Sequence, residues 1–220
     1  LVARAEQDFS RDGLRQITAV CRVMATKNPL VRRGIRLRTA YVWGQGVQIS
    51  ARDADKKSRG QDVNAVVQDF LDDPGNQRTF TSQQAHEELE QSAATDGNVF
   101  LALFTSPRTG RVQVRSLPWD EIDDTITNPE DDSEPWYYKR VWQERTDPLT
   151  GTGTRLRTAY YPALGYKPKF RPLRIKDPIS GSHLAEVMWD APTLHVKVNG
   201  LRGAKYGIPD VYAAVDWASA

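Results

Sequence analysis

Apolar residues recur at intervals of three and four through the first half of the chain and at intervals of two through most of the second, a pattern that predicts helices followed by strands. Leu14, Ile17, Val20, Cys21 and Met24 form one helical stripe, and Ser10 or Asp12 can cap its start, so the spacing predicts a helix over 11–27 that ends at Asn28-Pro29. Pro29 suits the first turn of a second helix, with Leu30, Gly34, Leu37 and Tyr41 on its apolar side and Arg32, Arg33 and Arg36 together on the other. Arg38 falls inside the apolar arc, between Gly34 and Val42, so it must snorkel, pair with a carboxylate or face another subunit.

Gly44-Gln45-Gly46 breaks this helix, and Val47-Gln48-Ile49 alternates like a short strand. Val63, Val66, Val67, Phe70 and Leu71 predict a third helix with a core-facing side, ended by Pro74-Gly75. Thr81-Ser82-Gln83-Gln84 has capping-box spacing for a fourth, with Phe80 stapling onto Ala85 and Asp96-Gly97 closing the element. Val99 to Phe104 then reads as a buried strand, Pro107-Arg108-Thr109-Gly110 as a turn, and Val112, Val114 and Leu117 as its hairpin partner. Further strands are expected at 136–144, 154–161, 185–189 and 193–198, with turns at 147–151 and 177–181.

Pro209 and Asp210 suit the first turn of a last helix, which Val211, Ala214, Val215 and Ala218 continue. The fold class expected is therefore α+β, with a helical part over about 1–96, an antiparallel β-rich part over about 97–200 and a further helix from about 208. A chain of this length supports one core and a single domain. The first residue is Leu1 instead of Met, and no C-cap follows the last helix, so the expectation is a piece of a longer polypeptide.

Charge refines the picture only locally. The 30 Lys and Arg against 28 Asp and Glu leave a net charge of +2, too small to mark a nucleic-acid binder by its overall field. The signs are segregated, however. Arg4, Arg11, Arg15, Arg22, Lys27, Arg32, Arg33, Arg36 and Arg38 crowd the first forty residues, while Asp120, Glu121, Asp123, Asp124, Glu130, Asp131, Asp132 and Glu134 crowd a later stretch. The single Cys21 excludes an intramolecular disulfide and lies on an apolar stripe, which favours a buried thiol and an intracellular site of assembly. No apolar run approaches the ~20 residues of a membrane span.

Candidate chemistry is sparse. Asp120, Glu121, Asp123 and Asp124 place four carboxylates within five positions, the density a divalent metal needs, but no EF-hand glycine or closing Glu accompanies them, and an acidic loop that pairs with arginines is the favoured reading. Gly44-Gln45-Gly46 and Gly151-Thr152-Gly153 lack the partners of a phosphate loop, and Ser182-His183 lacks nucleophile-elbow spacing. His86, His183 and His195 have no ligand at metal spacing; His195 alternates with Leu194 and Val196, so it is expected on the face opposite the buried one, with Lys197. These patterns supply no catalytic set, cofactor loop or metal set.

Trp136, Tyr137, Tyr138, Trp142, Tyr160, Tyr161 and Tyr166, interleaved with Lys139, Arg140, Arg155 and Arg157, suit either a nucleic-acid stacking platform or, by preference, a sheet face covered in an oligomer.

The order of five segments adds a resemblance. They are Asn28-Pro29-Leu30-Val31-Arg32-Arg33-Gly34-Ile35, Asp96-Gly97-Asn98-Val99-Phe100-Leu101, Leu117-Pro118-Trp119-Asp120-Glu121-Ile122, Leu194-His195-Val196-Lys197-Val198-Asn199 and Tyr206-Gly207-Ile208-Pro209-Asp210-Val211. Together they resemble the portal protein of tailed bacteriophages, most of all versions from phages and prophages of actinobacteria. The resemblance implies a structural protein and no enzyme: a dodecameric homo-oligomeric ring at one capsid vertex, through which double-stranded DNA passes during packaging and ejection.

It further implies terminase, capsid and head-completion proteins as partners, no membrane, and a place in the virion after assembly in the host cytoplasm. The chain would be mostly wing, with stem, clip and crown elsewhere. Arg32, Arg33, Arg36, Arg38, Asp120, Glu121, Asp123 and Asp124 are the candidate subunit-interface or DNA-facing residues, because ring contacts join unlike patches and segregated charge suits that geometry. The competing readings are a metal-dependent nuclease or other phosphoryl-transfer enzyme built on Asp120 to Asp124, and a monomeric nucleic-acid-binding module built on the N-terminal arginines.

Overall fold

The first helix begins where Ser10 accepts the Gly13 N–H, and α1 runs Arg11–Lys27. Asn28 has two jobs at one bend. Its own N–H closes α1 on Met24 O, and its side chain accepts the N–H groups of Leu30 and Val31 to open α2, Pro29–Trp43. The computed structural model describes residues 9–44, 46–51, 62–145, 153–176 and 184–218; Arg4, the turns expected at 147–151 and 177–181, and Ser182-His183 lie outside them.

Asp62 caps α3, Val63–Asp72, and Asp73 caps the short α4, Pro74–Asn76, which continues through a wide π-helical turn, Gln77–Thr81. Ser82 alone caps α5, Gln83–Asp96, by accepting the Ala85 N–H, so the expected Thr81–Gln84 reciprocal box is not the device used. Phe80 packs edge-on against Phe70 within the cluster around Val99 and Leu101.

The β-rich half follows in two sheets. The strands β1 (Asn98–Thr105), β2 (Val112–Leu117) and β8 (Thr193–Lys197) make an antiparallel sheet with β1 central. The second sheet has the order β3-β4-β5-β7-β6, from β3 (Ile122–Asn128), β4 (Asp131–Arg145), β5 (Thr154–Pro162), β6 (Arg174–Lys176) and β7 (Leu184–Val187); only the β5–β7 pairing is parallel. Helix α6, Tyr212–Ala218, is the last described element. Helices first and a largely antiparallel β region after them make the class α+β.

Alternation along each strand divides the core. Phe100 and Ala102 of β1 meet Leu14, Ile17 and Cys21 of α1 and Tyr138 and Tyr161 of the larger sheet. Val99, Leu101 and Val114 take the other face of the smaller sheet, under Leu89 and Ala93 of α5 and Phe70 of α3. Tyr137 and Tyr160 point to the far side of the larger sheet, where Tyr166 and Trp189 cover them. Four of the aromatic set, Tyr137, Tyr138, Tyr160 and Tyr161, are buried within the chain, because neighbouring residues point to opposite faces and both faces are covered there, while Trp136, Trp142 and Tyr166 are half-buried against the same clusters.

One strand edge is finished by a side chain. β2 lies at the rim of its sheet, and the fully buried Asn76 bonds to it as a neighbouring strand would, donating to Val112 O and accepting from Val114 N–H. That satisfies the donor and acceptor an edge strand leaves bare.

Other elements depart from expectation. β3 occupies residues read as an acidic loop, and β6 was not foreseen. The α1 stripe is turned so that Thr18 and Ala25 are buried and Val20 is exposed. In α2 the packed side runs through Val31 and Ile35, whereas Leu30, Leu37 and Tyr41 face out, Tyr41 at 88% exposure. Helix α3 shows Val63 and Val66 to solvent and packs mainly through Phe70, and 46–51, where a short strand is expected at 47–49, forms neither helix nor strand.

Candidate functional site

The most densely bonded polar position joins segments far apart in the chain. Gly97 ends α5 with φ 68°, in the left-handed region that favours glycine, and a Cβ there would sit 2.5 Å from the Ile208 carbonyl carbon. A Cβ on Gly207 would sit 2.3 Å from Gly97 O, so the two glycines permit the 97 and 207 backbones to touch. Beside them Asn98, 2% exposed, donates through Nδ2 to Asp96 O at 3.0 Å and Gly207 O at 3.1 Å. Its Oδ1 accepts from Gly207 N–H at 2.8 Å and faces His195 Nε2 at 3.0 Å. Because Nδ2 lies against two carbonyls, the orientation of the amide is set, and His195 must carry its proton on Nε2.

His195 therefore lies on the inward face of β8. It stacks on Phe100 at 4.0 Å and meets Tyr138 edge-on, while Leu194 and Val196 are the exposed pair, the reverse of the expected placement. Burial, and then the Lys197 charge, push the imidazole down to about 3, so it is neutral at physiological pH.

Arginines tie further elements to this junction. Arg22 of α1 reaches Asp96 through two bonds of 2.8 Å and Asp120 at 2.7 Å, and the bond to Asp96 leads the effects that raise its pKa. Arg11 lies 3.7 Å over the Trp119 ring and donates to the carbonyls of Trp119 and Ile122; burial and then Arg15 lower it to about 10. Arg38 takes the carboxylate-pairing option. Burial opposes its charge, but Asp210 and Glu90 both bond to the guanidinium, and their combined effect raises its pKa.

The carboxylates at 120–124 do not converge. Asp120 answers Arg22 at 2.7 Å, Glu121 answers Arg140 at 2.6 Å, Asp123 answers Lys139 at 2.9 Å and Asp124 answers Lys205 at 3.0 Å. Four acids pointing to four different bases hold elements together and do not frame a metal. Among the described residues no group of three or more His, Cys, Asp or Glu is arranged to hold a metal ion.

Two charged surfaces remain unspent. Arg32, Arg33 and Arg36 are exposed, and none forms an ion pair with another described residue. Arg32 and Arg36, with Thr39, Gln83, Glu87 and Gln91, border an open groove of about 670 Å³ between α2 and α5, which Arg33 does not line. The second surface is the tip of the β3–β4 hairpin, where Glu130, Asp131, Asp132 and Glu134 are exposed and have no basic partner among the described residues.

Short polar bonds hold that tip in shape. Thr127 Oγ1 donates to Asp132, Asn128 Nδ2 to Glu134, and Ser133 donates both its N–H and its hydroxyl to Asp131. The Ser133 hydroxyl and then its N–H hold the Asp131 carboxyl below its ordinary value.

Sequence patterns alone had not singled out Asn98, Arg22 or Glu90. Asp96-Gly97-Asn98 was nevertheless one of the segments carrying the resemblance, and a helix-ending glycine followed by a buried Asn was its visible signal. A scan of protein-family models and a search of curated proteins found no match to this chain.

Proposed function

We propose that the chain is the wing-like part of a portal subunit of the kind found in tailed bacteriophages, a structural protein that assembles into a ring at a capsid vertex for the passage of DNA. The observation that carries the reading is the junction. Four of the five segments behind the resemblance, separated by up to about a hundred residues, meet there through Asn98, Gly207, Asp96–Arg22–Asp120 and His195. The fifth lies alongside, with Val31 and Ile35 packed on the same core.

Their polar groups are used to join elements, as a scaffold requires, and an active site would keep some of them free for substrate. Terminase, capsid and head-completion proteins are the partners this reading brings, with DNA in the channel, no membrane, and a location in the virion or in the host cytoplasm during assembly. Electron microscopy and mass photometry of the protein as the cell makes it are expected to show closed rings. Monomers alone, across a range of salt and concentration, would overturn the reading.

The phosphoryl-transfer alternative predicts a different result. With Mg²⁺ or Mn²⁺ the protein is expected to leave DNA uncut, and Asp123→Ala with Asp124→Ala is expected to change nothing in that assay, because Lys139 and Lys205 already occupy those carboxylates. Metal-dependent cleavage that disappears in the double variant would establish the enzyme instead.

A further inference from the structure

Resting on the ring reading, we infer that the arginine-bordered groove between α2 and α5 receives the acidic β3–β4 hairpin tip of a second copy of this chain. Neither surface forms an ion pair with another described residue, Arg32 and Arg36 on one and Glu130, Asp131, Asp132 and Glu134 on the other. Opposite signs on unlike surfaces of one molecule give a head-to-tail contact, the kind whose repetition closes a ring. The tip is already ordered by Thr127, Asn128 and Ser133, so docking costs little further ordering of its backbone.

Several features of the groove favour a protein over nucleic acid. Its lining offers the Gln83 and Gln91 amides, which bond to a peptide as readily as to an anion, and its single carboxylate, Glu87, already accepts from Gln83. The outward face of α2 shows Leu30, Leu37 and Tyr41, apolar area that a protein neighbour can cover and a phosphate backbone cannot.

The test uses two charge-reversed proteins. One carries Arg32→Glu and Arg36→Glu, the other Asp131→Lys and Asp132→Lys. All four positions are exposed, so the arginine variant is expected to melt with the wild type and the aspartate variant, which loses the tip bonds from Ser133 and Thr127, slightly below it. Each alone is expected to assemble at least about tenfold less well than wild type at low salt, and an equimolar mixture to recover assembly in part, because the unchanged acidic tip then meets the unchanged arginine groove and the lysine-bearing tip meets the glutamate-bearing one. An Arg36→Cys and Asp132→Cys pair is expected to cross-link between copies under oxidation, Cys21 being buried and out of reach.

If wild type forms rings and both variants form them equally well, the groove contact is wrong and the ring reading survives. If wild type never associates, both fail. Normal rings from the arginine variant together with lost binding of a DNA duplex would assign the groove to DNA and overturn the inference.

Discussion

Replacing Asn98 with alanine is expected to lower the stability of the folded chain by roughly 3 to 5 kcal/mol, a large share of the ~5–15 kcal/mol a domain has in total. The size follows from what the amide leaves behind. Gly207 N–H and the His195 Nε2–H lose their acceptor, and the carbonyls of Asp96 and Gly207 lose a donor, in a site closed to water. Each stranded group costs about 1–3 kcal/mol, reduced by whatever relaxation the tightly apposed 97 and 207 backbones allow. In a thermal melt the loss should read as a fall of about 10 °C. A fall of only one or two degrees would mean that solvent takes over the amide's bonds, and that the junction is not the keystone described here.

Acid is expected to weaken the fold well before the carboxylates titrate. His195 binds its second proton at about 3 when folded and at its ordinary value of 6.5 when unfolded, so between those limits the unfolded chain holds the extra proton. Its contribution is fully present above about pH 6.5 and falls as the pH drops, by about 1.4 kcal/mol per unit. From pH 6.5 to 4.5 the loss is roughly 2–3 kcal/mol from this one group.

His86, lowered by burial against the Trp43 ring, adds a loss of the same sign. A His195→Gln variant keeps an N–H donor for Asn98 and has nothing to titrate. It should start less stable because it loses ring stacking on Phe100, yet show a shallower decline than wild type over the same range. Parallel curves for the two proteins would remove His195 as the acid-sensitive group.

Legibility in the sequence tracked how local the determining physics was. Ser10, Asn28 and Gly97 act on residues two to four positions away, and the helices they cap were readable from the letters. The β1–β2 hairpin was readable for the same reason. Strand β3 was not, since Asp123 and Asp124 look like loop residues until Lys139 and Lys205, distant in sequence, arrive to pair with them.

The same limitation reversed the expected face of β8. Hydropathy sends Leu194 and Val196 inward, but the ring of His195 has Phe100 to stack on and Asn98 to bond, and those partners decide the face. On α2 the apolar arc was phased on Leu37 and Tyr41, while Arg38 drew the inner side toward Glu90 and Asp210. Of the candidate interface residues, Arg38, Asp120, Glu121, Asp123 and Asp124 are spent within the chain, and Arg32, Arg33 and Arg36 pair with no described residue.

The bond from Asn98 to Gly207 spans 109 positions, and those from Arg11 to Trp119 and Ile122 span 108 and 111. Contacts of that separation form only after a large loop has closed, so they slow folding more than they raise stability. During synthesis β1 emerges long before its β8 neighbour exists, and the inner side of the Phe100 ring waits for His195 through nearly a hundred further residues. The segment from β8 to Val211, made long after β1, is therefore the one that completes the core. A pulse-labelling experiment should find the amides of β1 and β2 protected early, and those of Gly207 and Val211 protected last.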